Sequence, residues 1–174
     1  MTAATYYRST TTDVYSAEFT ISNDPELVLA ILNETRDHLD KLGWGADSCR
    51  LCVALEEALN NALYHGNLEL DSKLREGARA EFRRLFFERS TMMPYQGRRI
   101  YGTFRLSKET VEFVVRDDGD GFDPSTLADP TVEENLDKPS GRGVLLIRAF
   151  CDDVSHNDKG NEIRMSKTQS NGQP

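Results

Sequence analysis

In several short segments of the chain, apolar residues recur at every second position, which is the spacing of β-strands. Val14–Ile21 alternates apolar and polar side chains and contains branched and aromatic residues, which predicts a strand. Residues 100–106 and 110–116 have the same character and flank the short polar segment 107–109, which predicts a β-hairpin. Two more strands are predicted near the end of the chain, at residues 152–156 and 161–166.

Other segments carry apolar residues at every third or fourth position, which is the spacing of amphipathic helices. Residues 22–26 (SNDPE) combine a capping side chain with a proline in the first turn, so a helix is predicted from there to the vicinity of Gly43. A second helix follows, and Asp47 or Ser48 is its expected N-cap. A third, largely exposed helix is predicted at residues 71–89, which are rich in Arg and Glu, and a fourth at residues 144–150.

The second helix has two different faces. Glu57 and Asn61 lie one turn apart on its polar face. An Asn amide oxygen is a suitable ligand for Mg²⁺, and a Glu carboxylate beside it can polarise an attacking hydroxyl. For this helix alone a solvated polar face is the simpler interpretation, but two later motifs change it. The apolar face consists of Leu51, Leu55, Ala58, Leu59 and Ala62.

The length and composition of the chain restrict the number of domains and the kinds of partner that are expected. The chain has 174 residues, of which 38% are hydrophobic, and this predicts a single globular domain. A net charge of −8 argues against nucleic-acid binding, which needs a basic surface. No segment reaches the roughly 20 apolar residues of a membrane span, and the polar first residues lack a secretion signal, so a cytoplasmic protein without membrane contact is expected. Cys49 and Cys52 lie in a helical pattern, which favours packing over zinc binding.

A second motif, Asp117-x-Gly119-x-Gly121, directly follows the second strand of the hairpin. The Asp117 carboxylate can accept a hydrogen bond from the exocyclic amine of an adenine, directly or through water. Gly119 and Gly121 allow the backbone to approach the ring closely and to turn sharply. Because Asp-Gly segments also form ordinary turns, this motif alone is weakly specific.

A third motif, Gly141-x-Gly143, precedes the fourth helix. Glycines leave backbone N–H groups free to contact phosphate, and the start of a helix adds a favourable partial charge. Residues 125–140, before this motif, are polar and irregular and are interpreted as a lid. Each motif is weak alone, but the three motifs in this order are specific.

Together the motifs resemble those of the GHKL ATPases of the Bergerat fold, and within that group the anti-sigma-factor serine kinases of bacteria. Residues 57–66 (EALNNALYHG) are similar to the N box, residues 115–122 (VRDDGDGF) to the adenine-binding box, and residues 140–146 (SGRGVLL) to the lid glycine box. The resemblance covers most of the chain. It implies an α+β two-layer sandwich, in which helices cover one face of a mixed, mostly antiparallel sheet.

The same resemblance implies limits for the domain. Residues 14–167 are expected to form the histidine kinase-like ATPase domain, in which residues 68–99 are an insert of helix and loop that compact relatives lack. Residues 1–13 are interpreted as a flexible lead-in and residues 168–174 as a disordered tail.

Roles for individual residues also follow from the resemblance. Glu57 would be the general base of catalysis, Asn61 would hold Mg²⁺ and Asp117 would bind the adenine of ATP. Relatives often carry an Arg just ahead of the lid Ser-Gly, where this chain has Pro139, so Lys138 or Arg142 is expected to supply the positive charge near the terminal phosphate. The residues expected to bind the nucleotide are Asn61, Asp117, Gly119, Gly121, Lys138, Gly141, Arg142 and Gly143.

The function implied by the resemblance is that of an ATP-dependent protein serine/threonine kinase. It would phosphorylate a STAS-type antagonist protein on Ser and sequester a sigma factor or a similar regulator. Two alternatives stay open: a nucleotide-sensing module without significant turnover, favoured by Pro139 and the insert, and a histidine-kinase-like catalytic domain that acts on another chain. Homodimers are common in the family, although no feature of this sequence demands one.

Overall fold

The computed structural model describes residues 4–71, 74, 77–126 and 142–169. Within these ranges the chain forms six strands: β1 (Ala4–Thr10), β2 (Val14–Ile21), β3 (Ile100–Ser107), β4 (Thr110–Asp117), β5 (Asp153–His156) and β6 (Glu162–Thr168). It also forms four α-helices: α1 (Pro25–Lys41), α2 (Ala46–Asn60), α3 (Arg79–Thr91) and α4 (Arg142–Phe150). A π-helix, Asn61–Asn67, continues α2, and short 3-10 helices occupy Tyr95–Gly97 and Pro124–Thr126.

The strands form one sheet in the order β1-β2-β3-β4-β6-β5. All pairings among the described strands are antiparallel, whereas the prediction was a mixed, mostly antiparallel sheet. Alternate residues of β2, β3 and β4 are buried, because one face of the sheet packs against the helices in a single core. The predicted α+β two-layer fold and the predicted hairpin are confirmed.

The core is centred on aromatic rings of the sheet. Phe104 lies in edge-to-face contact with both Phe113 and Phe19, with ring centroids 4.9 and 5.0 Å apart. Gly102 makes room for this packing, because a Cβ there would collide with the Phe19 ring. The apolar face predicted for the second helix is buried along its whole length, on α2 and on its π-helical continuation: Leu51, Leu55, Ala58, Leu59 and Ala62.

The N-termini of the first two helices, α1 and α2, are capped in different ways. The capping side chain predicted within residues 22–26 is that of Asp24, whose Oδ1 accepts a hydrogen bond from the backbone N–H of Glu26 at 2.9 Å. The prediction that Asp47 or Ser48 caps α2 was wrong. The N-cap is Gly45, whose φ of +52° favours glycine, so Asp47 falls inside the first turn.

Residues 4–10, which lie within the predicted flexible lead-in, form the strand β1, which the sequence pattern did not predict. This edge strand pairs with β2 along its whole length, so backbone hydrogen bonds hold it although little of it is buried. Tyr6 packs on Phe19, with ring centroids 5.9 Å apart. A strand that is exposed on both faces has no need of apolar alternation, which is why the pattern did not predict it.

The third helix is largely exposed, as predicted, and within Arg79–Thr91 no residue is fully buried. It begins at Arg79 and ends at Thr91, whereas the prediction placed it at residues 71–89. Phe82 and Phe86 attach it to the domain through the ring of Tyr64, at centroid distances of 5.4 and 6.0 Å. Among the residues that the structure describes, no helix has the length and apolar character to cross a bilayer.

Candidate functional site

A cavity of about 340 Å³ opens between α2 with its π-helical continuation, the end of β4 and the turn between β5 and β6. We call it the central cavity. Asn61 and Asp117, predicted from separate motifs, both line it. Between them the wall is apolar, with Ala58, Ala62 and Val115 among the lining residues. A concave, mostly apolar site with a few polar groups is typical of small-molecule binding.

Asp117 lies at the end of β4 and is only 8% exposed. Its Oδ1 accepts a hydrogen bond from the backbone N–H of Gly119 at 2.8 Å, while no described residue donates to its Oδ2. Burial raises the pKa of the Asp117 carboxyl to about 6, and the Gly119 N–H and the nearby Lys159 ammonium act in the opposite direction. The cavity therefore holds an oriented carboxyl with one oxygen free to accept a hydrogen bond from a ligand.

Asn161 fixes the backbone of Asp117. The N–H of Asp117 donates to the carbonyl of Asn161 at 3.0 Å, and the side-chain Nδ2 of Asn161 donates to the carbonyl of Asp117 at 2.7 Å. Asn157 completes the arrangement, since its Nδ2 donates to Oδ1 of Asn161 at 2.9 Å. This pair of asparagines was not predicted, because its effect depends on a partner 44 residues away in the chain.

Three glycines allow the segment after β4 to pack tightly. A Cβ on Gly66 would lie 2.5 Å from both carboxyl oxygens of Asp117, and a Cβ on Gly119 would collide with the carbonyl oxygen of Gly66. Gly121 has a φ of +78° and lies against the carbonyl of Lys159. Gly119 therefore packs against protein backbone, whereas Gly121 makes the sharp turn and lines the cavity.

The side chains of Glu57 and Asn61 both lie close to Gly143, in the first turn of α4. A Cβ on Gly143 would lie 2.5 Å from Oε2 of Glu57 and 3.7 Å from Nδ2 of Asn61. A larger residue at position 143 would force the Glu57 carboxylate to move. The Asn61 side chain lines the cavity and forms no hydrogen bond with another described residue, so it is available to a ligand.

Part of the predicted site lies outside the described residues. This applies to Lys138, Pro139 and Gly141, and to the side chain of Arg142. The structure thus brings together Glu57, Asn61 and Gly143 on one side and Asp117, Gly119 and Gly121 on the other.

The far wall of the cavity includes two rings that sequence reasoning missed. Phe122 and His156 are in edge-to-face contact, with centroids 5.4 Å apart, and both line the cavity. Burial lowers the pKa of His156, which favours the neutral imidazole at pH 7. A neutral aromatic wall is suited to a flat, uncharged ring such as a nucleobase.

Asn67 joins the π-helix to the segment after β4. It is fully buried, its Nδ2 donates to Oδ1 of Asn23 at 2.7 Å, and its Oδ1 accepts the backbone N–H of Asp118 at 2.9 Å. The guanidinium of Arg98 donates to its carbonyl at 2.8 Å. The side chain of Asn67 therefore links the segments of Asn23 and Asp118, and its backbone carbonyl adds the segment of Arg98.

Asn67→Ala is expected to lower the free energy of unfolding by about 2 to 4 kcal/mol, because it removes a buried side chain and leaves the part-buried Oδ1 of Asn23 and N–H of Asp118 without their partner. Urea denaturation measures this loss. Asn33→Ala, at an exposed position of α1, is the matched control and is expected to change stability by less than about 0.5 kcal/mol. Equal stabilities for the two variants would contradict the role assigned to Asn67.

The comparison with known families agrees with this geometry. The family model of the histidine kinase-like ATPase domain matches residues 21–167, a segment that contains every residue lining the central cavity. No curated protein sequence matches the chain. The family is one of ATPase domains, which implies that the chain binds ATP. The chain belongs to the histidine kinase-like ATPase domain family and is an ATP-binding protein.

Proposed function

We propose that the protein is an ATP-dependent serine kinase of the anti-sigma-factor type. It phosphorylates a STAS-type antagonist protein on Ser and sequesters a sigma factor or a similar regulator. The observation that supports this proposal is the meeting of Glu57, Asn61 and Gly143, which sets a carboxylate and a free amide against the first turn of a helix at the ATP cavity.

Magnesium is the proposed metal. Mg²⁺ takes one or two protein oxygens and completes its shell with phosphates and water. The side-chain amide of Asn61, which lines the cavity and has no hydrogen-bond partner among the described residues, fits such a site. The described residues contain no group of three or more His, Cys, Asp or Glu side chains that would form an all-protein metal centre. Bound Mg²⁺ would neutralise phosphate charge during the transfer.

In the proposed reaction the residues of this chain orient the groups and move one proton. Asp117 accepts a hydrogen bond from the adenine amine, which fixes the base. The Oγ of the substrate serine attacks the terminal phosphorus of ATP, and Glu57 accepts the proton of that hydroxyl. The bond between this phosphorus and the bridging oxygen breaks, and ADP leaves. Lys138 or Arg142 is the proposed cation beside the transferred group.

The test is a single-turnover assay with labelled ATP and each STAS-domain protein of the source organism, purified one at a time. A phosphoserine on one of them, located by mass spectrometry, is the expected result. If ATP binds and none of these proteins is phosphorylated, the nucleotide-sensing module, which the proline at position 139 favours, is the better description.

Gly66→Ala tests the packing behind the adenine site. Its Cβ would displace the Asp117 carboxyl, so we expect the affinity for ATP, measured by calorimetry, to fall at least about tenfold. Gly77→Ala is the matched control, because a Cβ there has no neighbour within 4 Å. ATP affinity that is unchanged in both variants would show that the position of Asp117 is unimportant for binding.

A further inference from the structure

A second concavity, of about 640 Å³, lies between the start of α1 and the C-terminal half of α3. We call it the insert groove, because α3 and the segment after it belong to the insert at residues 68–99. It shares no described lining residue with the central cavity. Phe87 and Met93 line it and are 67% and 71% exposed. Two large apolar side chains so exposed in one groove mark an interaction site.

Two exposed arginines on α3 lie beside the insert groove. Arg79, Arg83 and Phe87 recur every fourth residue along α3, so they form one stripe that leads into the groove. Arg79 and Arg83 are exposed, and neither pairs with a carboxylate of another described residue. By contrast, Arg84 on the adjacent face of the helix is paired with Glu88 at 2.8 Å.

The groove itself contains a further cation. Arg99 lines it, and its guanidinium donates to the carbonyls of Gln96 and Arg98 but to no carboxylate of the described residues, while its backbone N–H donates to Oδ2 of Asp118 at 2.9 Å. Asp24 also lines the groove, and its carboxylate is engaged as the N-cap of α1. The Asp24 carboxylate keeps its charge, but Arg79, Arg83 and Arg99 outnumber it, so the groove and the adjoining stripe of α3 form a surface that is positive and partly apolar on a chain of net charge −8.

We infer that the insert groove binds an acidic, amphipathic helix of a partner protein. The large apolar side chains of that helix pack between Phe87 and Met93, and its carboxylates face Arg79, Arg83 and Arg99. This occupant complements both properties of the surface, since opposite charges steer the encounter and the apolar residues supply most of the binding energy.

Two other occupants fit the surface less well. A second copy of this chain that used the same face in a two-fold dimer would bring the unpaired arginines of the two copies together, which is repulsive. Nucleic acid requires a long basic footprint, whereas this stripe is short, ends in exposed apolar side chains and belongs to an acidic protein.

The test uses the full chain and two labelled peptides of about 16 residues, long enough for several helical turns. Both carry the same Leu and Phe stripe, and the flanking positions are Asp and Glu in one peptide and Lys in the other. By fluorescence anisotropy we expect the acidic peptide to bind at least about tenfold more tightly than the basic one, with an affinity that falls as salt is raised.

Variants locate the binding site. Phe87→Ser and Arg83→Glu are each expected to weaken binding of the acidic peptide at least about tenfold. Leu29→Ser, at a 58% exposed position of α1, and Arg105→Glu, at an exposed position of β3, are matched controls outside the groove and are expected to bind normally. Melting temperatures establish that all four variants are folded.

Three results would overturn the inference. The first is equal binding of the two peptides, and the second is an equal effect of the groove variants and the control variants on binding. The third is self-association of the chain that Phe87→Ser abolishes, because a second copy would then be the occupant of the groove. The inference does not depend on phosphoryl transfer, so the peptide experiment and the kinase assay succeed or fail separately.

Discussion

Asp117→Asn is expected to weaken ATP binding about 100-fold or more and, at neutral pH, to make the ATP-free protein more stable. The Asn oxygen can accept the Gly119 N–H that Oδ1 accepts in the native protein, which leaves the Asn amino group at the position of Oδ2. That position then presents a donor to the adenine amine, which is also a donor. Calorimetric titration with Mg-ATP measures the loss of affinity.

The effect of this variant on stability depends on pH, with a definite sign. The folded-state pKa of Asp117 is raised from 3.8 to about 6, so the stabilising contribution of this group is complete below pH 3.8 and is lost as the pH rises through 6. At about 1.4 kcal/mol per pH unit, the difference between pKa values of 3.8 and about 6 corresponds to about 3 kcal/mol of folding stability lost above pH 7. Asp117→Asn, which cannot ionise, avoids this loss.

Urea denaturation at pH 8 and at pH 4.5 measures the stability effect. We expect the variant to exceed the native protein in stability at pH 8, and the difference to shrink at pH 4.5. Asp153→Asn, at an exposed position of β5, is the control and is expected to change neither ATP affinity nor the pH dependence. If Asp117→Asn binds ATP normally, the base lies elsewhere in the cavity.

Glu57→Gln is expected to lower the rate of phosphoryl transfer by about 100- to 10,000-fold while ATP affinity stays within a few-fold of the native value. Gln has the shape of Glu and packs against Gly143 in the same way, so the substitution removes the proton acceptor and leaves the contact. Rapid-quench measurement with the antagonist identified in the single-turnover assay gives the rate, and calorimetry gives the affinity.

Glu56→Gln provides the comparison for this second variant. Glu56 is the exposed neighbour of Glu57 on α2, and its replacement is expected to leave both the rate and the affinity unchanged. The pH dependence of the rate adds a readout that a structural role would not affect, because the ionisation of the base disappears with Glu57. Transfer at the native rate in Glu57→Gln would exclude Glu57 as the general base.

Much of the fold could be predicted from periodicity, because the elements that form the core bury one face. The apolar face of α2 and the hairpin of β3 and β4 are regular in the sequence for this reason. Elements that bury little carry no such signal. Strand β1 is held by pairing with β2, and α3 begins and ends at positions that its charged sequence did not specify.

The candidate site was predicted in part for a similar reason. Glu57 and Asn61 are neighbours on one helix, so their spacing in the sequence is also their spacing in space. The contacts that complete the site join segments far apart in the chain. Asn67 with Asp118 is one example, and Gly66 with the carboxyl of Asp117 is another.

The sequence by itself determined most of the core helices and strands, the polar face of α2 and the order of the three motifs, because each of these depends on residues close together in the chain. The α+β architecture was implied by the resemblance of those motifs to a known family. Only the tertiary structure decided that Asn61 and Asp117 line one cavity, that Asp117 is buried enough for its pKa to rise, and that Gly143 lies against Glu57. The burial of Asp117 and the close packing of Gly143 depend on contacts between segments that are distant in the chain, so the spacing of residues in the sequence does not predict them.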